Sequence, residues 1–424
     1  MLRLLLPSAL ILSALLSPAV AHAAPGSLII VGGALSPANE AIHKAFLARR
    51  PAGAPGIAII PAASGSPADS AAFFAETLTR HGARREDIRI VHLATEDDPT
   101  TPGIDESRWA GNATSPAEIA KLADAGAIWF TGGDQLRTTR LLLTAGGFDT
   151  PMLAAIRARL SRGAIIGGTS AGAAIMSGAM ITNGESMPAL TQPVLRQGDE
   201  DTRQEGGQLV LGQGLGFFPV SLVDQHFDAR ARLGRLARAL FTLPADQRLG
   251  FGIDENTALL VDLARQEAHA LGASSITILD ARNATQMRGD RFGASGITLS
   301  VATAGDRVDL ATLAIAHDPI RKPIEPRASP SLAQGNAGGM AVPSQPLGDL
   351  LADELISRPG KSALERLSFS AGKSGLDAII FGFGKTADTS GFAGRDRDGA
   401  WRTTIKMLEL GIRPVSIDIK ETAE

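Results

Sequence analysis

The chain has 424 residues, with 41 lysines and arginines against 44 aspartates and glutamates, a formal net charge of −3, and neither cysteine nor tyrosine. With 44% hydrophobic residues it is a globular sequence, long enough for two or more domains. Zero cysteine excludes disulfides, thiolate-bound metals, iron–sulfur clusters, cysteine nucleophiles and cysteine-linked lipids. The near-neutral charge gives no electrostatic reason to expect nucleic acid or an anionic membrane as partner.

Arg3, the apolar run Leu4–Leu16, Pro18 and Ala21-His22-Ala23 have the layout of a secretory signal, expected to be cut after Ala23. The run is too short for a comfortable membrane span, and no second stretch of ~18 apolar residues follows it. The mature chain is therefore expected to be exported, to periplasm or medium, and free of the membrane. From Ser27 to about Leu260, short apolar runs alternate with amphipathic ones. Strands are expected at Leu28–Val31, Ile57–Pro61, Ile88–Leu93, Ala127–Thr131, Ala164–Gly167, Val220–Asp224 and Ala258–Val261. Helices are expected at Asn39–Arg49, Ala71–His81, Pro116–Ala125 and Pro151–Ser161. This alternation predicts an α/β fold, a mostly parallel sheet wrapped by helices, with ligands at the carboxyl ends of the strands.

Ser275–Leu279 reads as a further strand, and the catalytic domain is expected to span 24–317. Residues 318–346 are rich in proline and glycine, as in a linker. Beyond them, Leu347–Ile356 and Thr403–Leu410 read as helical and Leu376–Phe381 and Val415–Ile419 as strands, so 347–424 reads as a small α/β appendage.

Four motifs carry chemistry. The strand Ala164–Gly167 runs into Gly168-Thr169-Ser170-Ala171-Gly172 and then a small-residue helix, a corner that presents Ser170 as a nucleophile near a helix N-terminus. A tight helix–strand crossing would use the same small residues. Phe130-Thr131-Gly132-Gly133-Asp134-Gln135 follows another strand, and its glycines expose backbone N–H groups of the kind a developing oxyanion needs; as a bare pattern it is also a turn. In Asp224-Gln225-His226, the histidine follows a strand and is flanked by polar residues without a core role. Arg230, Arg232 and Arg235 follow; they cannot share one helical face, but one or two could clamp a carboxylate, unless the helix is simply basic and solvated. Finally Gly252-Ile253-Asp254-Glu255-Asn256 offers two adjacent carboxylates, either of which could orient a histidine.

These four motifs, in this order, resemble the cyanophycinase family of serine peptidases, relatives of aspartyl dipeptidase in the glutamine-amidotransferase-like fold. Pro61 and Ser64-Gly65 add weaker support, and the resemblance covers about Ser27 to Leu313. It implies Ser170 as nucleophile, His226 as general base and Glu255 as the acid, with oxyanion donors at Gly133 and Ala171. It also implies that Gln135, Asp224, Gln225, Arg230, Arg232 and Arg235 line the substrate pocket. The implied substrate is cyanophycin, a poly-aspartate with arginine on each side-chain carboxyl, or another β-aspartyl peptide. Neither metal nor organic cofactor is implied, and a homodimer is suggested.

The segment Leu190–Gly214, with Asp199-Glu200-Asp201, is longer and more acidic than the family pattern and reads as a disordered surface loop, with a lid or an acidic attraction for arginine-rich polymer as the alternatives. Gly372-Lys373-Ser374 lacks the upstream glycine of a phosphate loop, and Asp396-Arg397-Asp398-Gly399 is a fragment of a calcium loop. Three rivals stand beside the main reading. In an α/β-hydrolase esterase the histidine comes last in the chain, which would make His317 the base. The others are a peptidase acting on different aspartyl or isoaspartyl peptides, and a non-catalytic binding protein.

Overall fold

The computed structural model describes residues 25–197, 207–218, 221–289, 291–327, 346–372 and 375–417. The expected signal segment, Asp199-Glu200-Asp201, Lys373-Ser374 and most of the proline-rich linker lie outside these residues. The first half runs β1 (Ser27–Val31), α1 (Glu40–Ala48), β2 (Gly56–Ile60), α2 (Pro67–Arg80), β3 (Ile88–Ile90), α3 (Pro116–Ala120), β4 (Ala125–Phe130), α4 (Gln135–Leu142), α5 (Pro151–Ser161), β5 (Ile165–Thr169) and α6 (Ala171–Ala174). Next come β6 (Ala179–Asn183), α7 (Ser186–Thr191), β7 (Leu195–Arg196), β8 (Val210–Gln213), β9 (Leu222–Asp224), α8 (Leu233–Leu240), β10 (Leu249–Ile253) and β11 (Thr257–Asp262). The strands β12 (Glu267–Gly272), β13 (Ser275–Asp280), β14 (Thr285–Gln286), β15 (Ala294–Thr303), β16 (Arg307–Asp309), β17 (Ile315–Ala316) and β18 (Lys322–Pro323) follow. The chain closes with α9 (Leu347–Leu351), continued by a π-helical turn over Ala352–Ile356, then β19 (Ala363–Gly372), β20 (Gly375–Arg395) and β21 (Trp401–Ser416).

The central sheet has the order β17-β16-β12-β11-β1-β5-β4-β2-β3. From β1 to β3 every pairing is parallel; from β1 to β17 every pairing is antiparallel. The parallel strands are continuous apolar runs because both of their faces are covered. Leu28 and Ile30 of β1 enter one core with Ala58, Ile60, Ile128 and Phe130, whereas Ile29 and Val31 enter the opposite core with Ile57, Ile59 and Trp129. Three of the helices begin on a side-chain cap: Asn39 accepts from Ile42 N, Asp134 from Leu136 N and Thr150 from Leu153 N.

A second sheet has the order β18-β20-β21-β15-β13-β10-β9, parallel only at β9–β10. The strand read at Val220–Asp224 thus belongs here, as β9, and not to the parallel sheet. Thr403–Leu410, read as helical, lies within β21. Its apolar residues Ile405 and Leu408 are three apart because Met407 sits at φ 59 beside a register shift against β15, so a bulge imitates helical spacing. The segment after residue 346 is not separately packed: Leu351, Leu355, Phe381 and Ile405 share one core with Leu190, Phe227 and Leu236. Buried Asp306 adds a polar link, accepting from Arg321, Thr404 Oγ1 and Asp318 N.

Candidate active site

Ser170 stands at the carboxyl end of β5, directly before α6, at φ 54 and ψ −110. Close approach requires glycine on either side. A Cβ at Gly168 would lie 2.4 Å from Gly172 O, and one at Gly172 would lie 2.5 Å from Phe130 O. Ser170 N donates to Val31 O of β1 at 3.1 Å, which fixes the corner to the neighbouring strand.

His226 follows β9, across from Ser170, at φ 46 with its N–H donating to Gly32 O at 2.5 Å. Gly33 (φ 111) lies against the imidazole, where a Cβ would come within 2.2 to 2.7 Å of three ring atoms. His226 Nε2 is 2.9 Å from Ser170 Oγ, and His226 Nδ1 is 2.6 Å from Glu255 Oε1. With Nδ1 protonated toward the carboxylate, Nε2 is free to accept the serine proton. His226 is held below the usual histidine range, chiefly by burial; the Glu255 hydrogen bond opposes this and Arg230 adds to it. The histidine is therefore neutral at pH 7, as a general base must be.

Of the two adjacent acids, Glu255 reaches the histidine and Asp254 turns away. Buried Asp254 accepts from Ser274 Oγ (2.7 Å), Ser275 Oγ (2.7 Å), Ser275 N (3.0 Å) and Asp228 N (3.1 Å). The turn that carries Glu255 is pinned at Asn256 (φ 52), whose N–H donates to Gly33 O at 2.8 Å and whose side chain accepts from Ser36 N and Asn39 Nδ2. The three residues thus come from the ends of β5, β9 and β10, so the site lies where the two sheets meet and not along one sheet. His317, the alternative base, instead stacks on Phe392 with Lys406 Nζ 3.1 Å from its Nδ1.

Gly132 and Gly133 end the neighbouring strand β4, and a Cβ on Gly132 would touch Ser170 Cβ at 3.4 Å. Gly133 takes φ 136, a conformation where a side chain would run into Ala63 O at 1.9 Å. Among the described residues neither Gly133 N–H nor Ala171 N–H has an acceptor, so both are available to an oxyanion.

The remaining predicted pocket residues divide in two. Asp224 takes a bidentate pair from Arg235, Nε at 2.9 Å and Nη2 at 2.5 Å, while Arg235 Nη1 donates to Gly184 O and Arg232 Nη1 to Gln225 O. Gln135 Nε2 donates to Thr182 O (2.7 Å) and Ile181 O (3.2 Å). All four side chains are buried and brace the loops around Ser170 and His226. By contrast, Gln225 Oε1 is buried without a partner, and Arg230 is exposed and forms no ion pair among the described residues. A strongly buried pair such as Asp224–Arg235 looks in sequence like two free charges. Gly33 was also overlooked, although Val31-Gly32-Gly33 is a third strand-end glycine pair.

Residues 28–267, more than half of the chain, match the model of peptidase family S51. The chain belongs to peptidase family S51. It is 30% identical over 275 residues to a cyanophycinase of Synechococcus elongatus (63% of this chain, 74% of the relative). It is also 30% identical over 311 residues to a cyanophycinase of Geminocystis herdmanii (70% and 97%). A solved peptidase from an acI-B1 actinobacterium aligns with a TM-score of 0.44 at 19% identity, covering 68% of this chain and 98% of that one. The chain is accordingly a serine-type peptidase. In this peptidase the matched region spans β1 to the start of β12, and so includes Gly33, Ser170, His226 and Glu255.

Proposed function

We propose that this peptidase is exported and hydrolyses cyanophycin to β-aspartyl-arginine through an acyl-enzyme on Ser170. The observation that supports this most is the hydrogen-bonded series Ser170–His226–Glu255, at 2.9 and 2.6 Å, in a chain related to cyanophycinases. Export rests on the signal layout of residues 1–23.

In this reading His226 Nε2 takes the Ser170 proton as Oγ attacks the scissile carbonyl, and Glu255 stabilises the resulting imidazolium. The Gly133 and Ala171 N–H groups hold the tetrahedral oxyanion. His226 then protonates the departing amine, and a water activated by the same imidazole releases the acyl group and restores the serine. Arg230 and Gln225, the pocket groups with free polar atoms, suit a substrate carboxylate and amide.

Insoluble cyanophycin incubated with the wild type should yield β-aspartyl-arginine. Ser170→Ala should lower kcat by more than about 10⁴-fold while leaving the thermal unfolding curve cooperative. Release of the dipeptide by folded Ser170→Ala would sink the nucleophile assignment; no release by the wild type would sink the substrate.

A further inference from the structure

A cavity of about 620 Å³ opens at the parallel edge of the central sheet, between the first turns of α2 and the loop that follows β3. Asp69, Asp105, Arg108, His92 and Trp109 line it. Asp69 and Arg108 are exposed, and among the described residues their side chains make no hydrogen bond or ion pair; the Asp105 side chain accepts from Ser107 Oγ alone. Charges of both signs thus line one cavity without pairing with each other. The Trp109 indole stacks on the His92 imidazole with ring centroids 4.4 Å apart. Glu118 holds that imidazole in place, accepting from His92 N at 2.7 Å and lying 3.6 Å from its Nδ1. Burial, then Lys121, holds His92 below the usual histidine range, so at pH 7 it adds no positive charge. The loop is also braced against the catalytic end of the sheet. Glu106 Oε2 accepts from Asp98 N and Glu106 N donates to Asp97 Oδ1, which closes the loop on itself. Arg137 of α4 pairs with Glu96 at 2.7 Å and donates to Ser64 O at 3.1 Å, and α4 begins two residues after Gly133.

We propose that this cavity is a second subsite for the polymer, which takes the arginine of a unit several residues away from the bond being cut. The inference rests on the reading of cyanophycin as substrate. In that polymer each arginine is joined through its amino group, so its guanidinium and its carboxylate are both free. Asp69 and Asp105 suit the guanidinium and Arg108 the carboxylate, while the Trp109 indole gives the guanidinium a ring to stack on. A chain of bare aspartate would meet one cation and be repelled by two acids. The volume equals that of roughly twenty waters at ~30 Å³ each, room for a whole arginine residue. The position fits a chain already held at Ser170. The strands run β5-β4-β2-β3, three spacings of ~4.8 Å, which puts the cavity roughly 14 Å along the sheet from the nucleophile. Extended backbone covers ~3.4 Å per residue, so about four aspartates bridge the two places. A short oligomer reaches the catalytic centre alone. A long one reaches both, and the second contact raises its affinity without touching the reacting atoms.

The test compares β-aspartyl-arginine oligomers of two and eight units as substrates of the full-length protein. Asp69→Asn combined with Asp105→Asn should raise KM for the eight-unit oligomer at least about fivefold, and leave kcat and the two-unit KM within about twofold. Arg108→Gln should raise the eight-unit KM about threefold, because the carboxylate loses its partner. Both variants should label at Ser170 with a serine-reactive fluorophosphonate at the wild-type rate, as an intact catalytic centre requires. A rise in KM that is equal at both lengths or comes with slowed labelling, an unchanged eight-unit KM, or a lower one in Arg108→Gln would each overturn the subsite. If the wild type labels but cleaves neither oligomer, the cyanophycin reading fails and the subsite with it. Cleavage of both oligomers with no length-dependent effect of the substitutions removes the subsite and leaves the cyanophycin reading standing.

Discussion

Ser170 and His226 both hold backbone angles that side chains rarely adopt, φ 54 and 46, at a cost of order 1–3 kcal/mol each. The surrounding backbone over-determines them: Ser170 N is tied to Val31 O and His226 N to Gly32 O, adjacent residues at the end of β1. One strand end therefore sets both the nucleophile and the base. Arg230 acts on this pair through charge, since it lowers the affinity of His226 for a proton without bonding the ring. A base with a lowered pKa keeps its activity further into acid, so the acid limb of kcat/KM should lie below pH 6.5. Arg230→Gln removes one of the lowering charges and should move that limb upward. A limb that stays in place, measured by the pH dependence of kcat/KM or of fluorophosphonate labelling, would show that Arg230 has no electrostatic part in the site.

At the scale of elements, the loop carrying His226 is coupled to the C-terminal helix α9. Asp228, two residues after the base, accepts from Leu347 N at the start of α9 and faces Asp254 and Asp349; burial, then Asp254, raises it to about 6. An acid whose folded pKa is raised above its unfolded value of 3.8 binds protons more tightly when folded. Stability then falls as pH rises from about 4 through about 6, and a deficit of up to about 2–3 kcal/mol persists above that. Asp228→Asn keeps the acceptor for Leu347 N and removes the charge. It should raise the unfolding free energy at pH 8 by up to about 2–3 kcal/mol and change it little at pH 4. Equal effects at both values in urea denaturation would rule out this ionisation as the cause. The same element scale shows why some features were legible and others not. Ser170, Gly133 and the His226–Glu255 pair sit at strand ends marked by glycine and polar residues, a punctuation that survives in one dimension. The pairing of Asp224 with Arg235, eleven residues on, depends on how the loop between β9 and α8 folds back, and the stacking of Phe74 on Trp129 joins two separate elements; neither is a period within one element.

At the scale of the molecule, the parallel half was readable because burial on both faces leaves unbroken apolar runs such as Leu28–Val31 and Ile57–Ile60. Of the second sheet only pieces were readable, Ser275–Leu279 as β13 and Leu376–Phe381 within β20, because its strands come from 222–303, 322–323 and 363–416 and β21 is joined to β15 and β20 through register shifts that blur the alternation. That sheet makes the C-terminal residues part of the catalytic scaffold: β21 pairs with β15, and Phe381 and Ile405 pack in the core that holds Phe227, the residue after the base. Removing the chain beyond residue 345 would strip β15 of a neighbour and expose Phe227 and Leu236, side chains worth roughly 1.5–3 kcal/mol each when buried. It would also take away Thr404 from Asp306. The truncated protein should lose cooperative unfolding and label at Ser170 at least about tenfold more slowly than the full chain, because the loop that positions His226 loses its support. A truncated protein that melts within a few degrees of the full chain and labels at the same rate would instead make the C-terminal strands an independent attachment, dispensable for the site.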